Sequence, residues 1–72
     1  MGNFPNITPK ELVKILHKNG FVISRQRGSH ILMQHSINSN TKVTIPQHSK
    51  TLKRGTLLSI LRQTGLKKED LR

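Results

Sequence analysis

Leu12, Val13, Ile15 and Leu16 recur at helical spacing near the start of the chain, and Leu57, Leu58, Ile60 and Leu61 repeat the pattern near its end. Each set makes one apolar stripe, and Lys10, Lys14, His17 and Lys18 fall on the other faces of the first helix. A one-sided helix is stable only against an apolar partner, so the segment between the two must offer a surface for both. With 72 residues in all, there is room for one small domain and no second core. A domain of this size buries only about 60% of the surface its unfolded chain exposes, so that core is thin.

The local signals place the elements. Thr8 reads as the N-cap of the first helix, with Pro9 at its first position, Glu11 closing a capping box, and Asn19-Gly20 as its stop. This gives a helix over 9–19 after a short N-terminal tail, 1–7. A strand over 21–26, a turn at Arg27-Gly28, a strand over 29–35, a polar loop over 36–41 and a strand over 42–45 follow. Pro46 stops the third strand and opens a basic loop, PQHSKTLKRG, which leads to the second helix and its stop at Gly65. The remaining residues, LKKEDLR, suit one last turn, and there is no internal repeat or low-complexity tract.

The expected fold class is therefore α+β: a two-layer α-β-β-β-α domain, with a three-stranded antiparallel sheet and both helices on one face. Alternation along the second strand puts Ile31 and Met33 on the helix side and His30, Leu32 and Gln34 on the other. Val43 and Ile45 join the helix side. The opposite face, with His30, is left to solvent or to a ligand.

Thirteen Lys and Arg stand against three Asp and Glu, a net charge of +10. Such an excess points to a polyanionic partner: nucleic acid, an acidic protein or a membrane surface. The lack of cysteine removes disulfides, thiolate metal sites and a cysteine nucleophile, and fits a reducing, cytoplasmic setting. No apolar run approaches the roughly 18 residues of a spanning helix, so no membrane association is expected. Phe4 and Phe21 are the only aromatic residues apart from histidine, too few for stacking platforms under single-stranded bases. RNA, if bound, is held through phosphates and shape.

Glu11, Glu69 and Asp70 are the only carboxylates, one in a capping position and two in the C-terminal tail. Paired acid–base carboxylates and a carboxylate-rich metal nuclease are therefore not expected. His17, His30, His35 and His48 lack metal-binding spacing, so neither a metal nor any other cofactor is called for. A metal-free route remains open, because RNA carries its own nucleophile in the ribose 2′-hydroxyl. Cleavage then needs a base, an acid and cations around the phosphate, and imidazole serves in the first two roles near neutral pH. In "RQRGSHILMQH", Gly28 permits close approach of a phosphate and Ser29 offers a hydroxyl and an amide beside His30. Arg25, Arg27 and Lys42 are expected near His30, with Lys50, Lys53 and Arg54 at the start of the second helix as a further phosphate site. From the pattern alone, His30 also reads as a solvated turn residue. His35 reads as structural or exposed, and His48 as a positioning group in its basic loop.

Four segments, "KNGFV" from Lys18, "RGSH" from Arg27, "TIPQH" from Thr44 and "LKRGTLLSILRQTGL" from Leu52, occur in the order and spacing of a known family. From about Thr8 to Leu66 the chain resembles the HicA toxins, also described as YcfA-like proteins. That resemblance implies a double-stranded-RNA-binding-domain-like fold and metal-independent cleavage of mRNA. It implies His30 as the catalytic histidine, and a HicB-type antitoxin that binds the toxin and masks its site. The rival expectations are a non-catalytic double-stranded-RNA-binding module with the same fold, a DNA-binding accessory protein, and a degenerate toxin that binds only its antitoxin.

Overall fold

The computed structural model describes residues 6–48 and 50–71. In chain order the elements are α1 (Pro9–Lys18), β1 (Phe21–Arg27), β2 (His30–His35), β3 (Lys42–Pro46), α2 (Arg54–Thr64) and a closing 3₁₀ turn (Lys68–Leu71). The strands form one antiparallel sheet in the order β1-β2-β3. This is the α-β-β-β-α order expected.

α1 begins where its capping residues say it should. Glu11 N–H donates to Thr8 Oγ1 at 3.2 Å, and Thr8 N–H donates to Glu11 Oε1 at 2.9 Å, so two end amides are satisfied reciprocally. Donation from the Thr8 backbone, then from its hydroxyl, holds the Glu11 carboxyl below its ordinary value, with Lys14 adding to the effect. A lowered carboxyl stabilises the fold while ionised, and that contribution is lost as pH falls through its folded-state value. The helix ends one residue earlier than expected, because Asn19 (φ −99°, ψ 20°) is already the cap, its side-chain amide donating to the Ile15 carbonyl at 2.8 Å. Gly20 follows with φ +91°, and a Cβ there would come within 2.8 Å of His35 Nε2. Conformation and space both demand glycine at that position.

The sheet is one-sided. Phe21, Ile31, Met33, Val43 and Ile45 are buried beneath the helices, where α1 packs on β1 and β3, and α2 packs on β3. Leu12, Leu16, Leu57, Ile60 and Leu61 are the helix contribution, and Leu71 of the closing turn is buried as well. Leu58, counted with the second stripe, is 38% exposed: it lies about 100° round the helix from Leu57, whereas Ile60 and Leu61 straddle the Leu57 direction. Ile7, assigned to the tail, is buried, and its carbonyl accepts from Leu52 N–H at 2.7 Å, which ties the start of the chain to the loop before α2. The first five residues of that tail lie outside the described residues.

Two strand boundaries differ from expectation. The β1–β2 turn is Gly28-Ser29, flanked by the paired residues Arg27 and His30. Gly28 has φ +56°, and no described non-glycine residue, Ser29 included, has positive φ, which is the pattern of a two-residue type II′ turn with glycine first. β3 includes Pro46, which pairs with His30. Gln47 N–H donates to the Ser29 carbonyl, a bond between the neighbours of that pair, so His30 and Pro46 form the closer, non-hydrogen-bonded kind of rung. The Pro46 nitrogen then faces outward from an edge strand, where its missing N–H costs no ladder bond.

Leu12→Ala should cost about 2–5 kcal/mol in urea denaturation, because Leu12 is fully buried against the sheet. Leu58→Ala should cost about 0.5 kcal/mol or little more. Equal shifts for the two would contradict the placement of α2.

Candidate functional site

The face of the sheet away from the helices consists of three rungs. At one end Arg27, His30 and Pro46 lie side by side across the three strands; Arg25, Leu32 and Thr44 come next; Val22, Gln34 and Lys42 form the far rung. His30, Arg25 and Arg27 are exposed. His30 thus stands on the open face as alternation predicts, with Arg27 directly across the hairpin.

A register shift between Ile23 and Arg25 puts both arginines there. Val22 pairs with Gln34 and Ile23 with Met33, but Arg25 pairs with Leu32, so Ser24 is the extra residue of a β-bulge. Simple alternation from the buried Phe21 would turn residues 25 and 27 to the helix side, since one extra residue exchanges every later side chain between faces. The bulge sends Arg25 and Arg27 to the side of His30.

Beyond Pro46 the chain borders a cavity of about 380 Å³, lined by Pro46, His48, Lys50, Thr51, Leu52, Lys53 and Thr56. Lys53 is the N-cap of α2 and makes no side-chain capping bond, so the helix start there has no internal side-chain acceptor. Basic side chains and a helix N-terminus at one cavity favour an anion. Because Pro46 belongs to both, the cavity and the His30 rung are contiguous.

Most of the residues singled out from the sequence therefore meet at one end of the molecule: Arg27, Gly28, Ser29 and His30 at the hairpin, with His48, Lys50 and Lys53 around the adjoining cavity. Arg54 opens α2 at that end, and Arg25 is one rung away. Lys42 is not beside His30. It pairs with Gln34, about 13 Å along the strand, because β3 runs antiparallel and begins at the far end. Gly28 has open space around the position a Cβ would take, so its backbone is approachable as well as left-handed.

The family model for the HicA toxin of bacterial toxin-antitoxin systems matches residues 9–66. The chain belongs to the HicA toxin family. Its role is that of the toxin of a toxin-antitoxin pair, and an antitoxin is its partner. No curated protein matches the sequence. Within this HicA-family toxin no described helix is long and apolar enough to cross a membrane. Among the described residues, no three His, Asp or Glu side chains gather where they could hold a metal ion.

Pro46, Thr51 and Thr56 were not singled out from the sequence, although they line the toxin's basic cavity. Thr51 lies between Lys50 and Lys53 and Thr56 three residues beyond, and only the fold shows that they line one cavity. His35 is different in kind from His30. Its Nδ1 accepts from Ile37 N–H at 3.2 Å and Asn38 N–H at 3.1 Å, and its ring meets Phe21 edge-on with 5.0 Å between centroids. It shapes the β2–β3 loop from the core side of the sheet.

His35→Ala should therefore destabilise the fold by about 1 kcal/mol, since the loop loses two hydrogen bonds and Phe21 loses its edge contact. His30→Ala should leave the denaturation midpoint close to that of the unsubstituted protein. Thermal denaturation of the pair checks this, and the reverse order would refute the structural assignment of His35.

Proposed function

We propose that this HicA-family toxin is an endoribonuclease that cleaves mRNA in the cytoplasm, without a metal or other cofactor, and that His30 transfers a proton at the scissile phosphate. His30 and Arg27 on the uncovered face, with the basic cavity adjoining their rung at Pro46, carry the reading. Carboxylates, which would repel a phosphate backbone, are used elsewhere: Glu11 in the α1 capping box, Asp70 accepting from Lys67 N–H, and Glu69 in the same 3₁₀ turn.

In this reading the RNA backbone lies across the open face. Arg25, Arg27 and His48 hold the scissile phosphate beside His30, while Lys50, Lys53 and Arg54 engage the next phosphate at the cavity and the start of α2. Gly28 lets the backbone approach, and Ser29 donates to a non-bridging oxygen. Lys42 contacts the strand further along. The 2′-oxygen, losing its proton, attacks phosphorus; the bond to the 5′-oxygen breaks, and that oxygen takes up a proton. The products are a 2′,3′-cyclic phosphate and a 5′-hydroxyl. Cations near the phosphate stabilise the charge that builds in the transition state. The antitoxin is of the HicB type and acts by covering this face.

The test is cleavage of a defined single-stranded RNA in EDTA, with the ends of the products determined. The unsubstituted protein should cut and leave the cyclic phosphate and 5′-hydroxyl, and folded His30→Ala should be slower by roughly 10²–10⁴-fold. Ends of the opposite polarity, or equal cutting by both, would overturn the role of His30. RNA binding without cleavage by either protein would favour a double-stranded-RNA-binding module.

Binding should also weaken steeply with salt, because capture rests on phosphate contacts. Arg27→Ala should lower the slope of log affinity against log salt by about one, whatever the RNA sequence. An unchanged slope would remove Arg27 from the interface.

A further inference from the structure

Cleavage through the 2′-hydroxyl moves two protons: one leaves the nucleophile and one reaches the departing 5′-oxygen. One imidazole cannot hold and lack a proton at the same moment, so a single histidine leaves one of these transfers to water. Resting on the ribonuclease reading above, we propose that His48 is the second proton-transfer group, working with His30 across one phosphate.

The geometry supplies the argument. His30 and Pro46 are partners in a close, non-hydrogen-bonded rung, and the Gln47–Ser29 bond carries the pairing of the two chains one residue beyond it. His48 lies two residues after Pro46, just beyond the end of β3. Pro46 and His48 line the same cavity, and His48 is exposed. The Cα atoms of such a rung are about 4.5 Å apart and two residues of chain span at most about 7 Å, so the Cα atoms of His30 and His48 are no more than about 12 Å apart, a gap two inward-reaching imidazoles can close. That separation admits one phosphate, with each imidazole within hydrogen-bonding reach of a different bridging or attacking oxygen. Gly28, two residues before His30 in the hairpin turn, carries no side chain and has open space where a Cβ would stand.

The other titratable groups do not compete for the role. His35 has its Nδ1 committed to two backbone amides, and His17 is on the exposed surface of α1. Glu11, Glu69 and Asp70 lie in α1 and the 3₁₀ turn. The charged groups around the pair are Arg27 across the hairpin from His30, and Lys50 and Lys53 in the cavity with His48. These cations suit phosphate and transition-state charge; at neutral pH a lysine or arginine side chain is a poor proton acceptor.

The proton balance is complete without another reactant. One histidine, neutral, takes the 2′-hydroxyl proton as the new P–O bond forms. The other, protonated, gives its proton to the 5′-oxygen as the old P–O bond breaks. Hydrolysis of the cyclic product or exchange with water resets the pair.

The experiment is the pH dependence of RNA cleavage by the full chain and by His48→Gln and His48→Asn, in EDTA, with RNA affinity and circular dichroism measured on each. The unsubstituted protein should give a profile with an acidic and an alkaline limb. Each variant should remain folded and bind RNA within about threefold, yet cut roughly 10²–10⁴-fold more slowly, with one of the two limbs gone. A uniformly lowered profile that keeps both limbs would make His48 a phosphate-positioning residue and overturn the proposal, as would rates within threefold of the unsubstituted protein. Should the unsubstituted protein fail to cut RNA at any pH, the ribonuclease reading itself fails, an outcome distinct from an active enzyme indifferent to His48.

Discussion

Burial of one face of a three-stranded sheet under two helices is the constraint from which the rest of this structure follows. β2 is central, and its alternation leaves no choice about which residues face the helices: Ile31 and Met33 go in, His30, Leu32 and Gln34 go out. A one-residue slip of β2 would bury His30 and expose Met33, exchanging a favourable apolar contact for an unpaired polar group. The same alternation extends across β3, where Val43 and Ile45 are buried and Pro46 is on the open side. The hydrophobic core therefore fixes the identity of the uncovered surface.

That surface is more basic than alternation alone would make it. Ser24 opens a bulge in an edge strand, and the two arginines beyond it change sides. β1 is exposed along all but its first residue, so an irregular step there displaces little packing. The hairpin turn then returns the chain at once, with glycine in the left-handed conformation and His30 as the first residue of β2. Local irregularities with small packing consequences, a bulge and a type II′ turn, set the chemical content of the site, while the core merely holds them in place.

Much of this was legible in the residues. Thr8, Pro9 and Glu11 mark the start of α1 through hydrogen bonds that need no partner outside the segment, and Gly20 and Gly65 mark the ends of the helices through backbone conformation. The side of the sheet on which His30 stands follows from period-two geometry. The displacement of the hairpin turn by one residue, from Arg27-Gly28 to Gly28-Ser29, shows the limit: turn composition names the residues involved, and the pairing of Arg27 with His30 decides among them. Lys42 shows it again. Proximity to His30 depends on which ends of β2 and β3 meet, and antiparallel pairing carries Lys42 to the far rung.

The sequence by itself determined the order of elements, the residues of the core and the concentration of positive charge, because each is written in local periodicity, capping chemistry or composition. Ile7, Leu52, Leu58 and Leu71 are exceptions at the margins, their burial decided by where the chain start, the loop before α2, α2 and the closing turn come to rest. Only the tertiary structure decided that Arg25 and Arg27 share a face with His30, that Pro46 is the close neighbour of His30, and that His48 and Pro46 line one cavity. The physical reason is register. A strand's side-chain pattern repeats every two residues, so one bulge or one shifted turn reverses it, and which of the possible pairings forms is settled by contacts between strands distant along the chain.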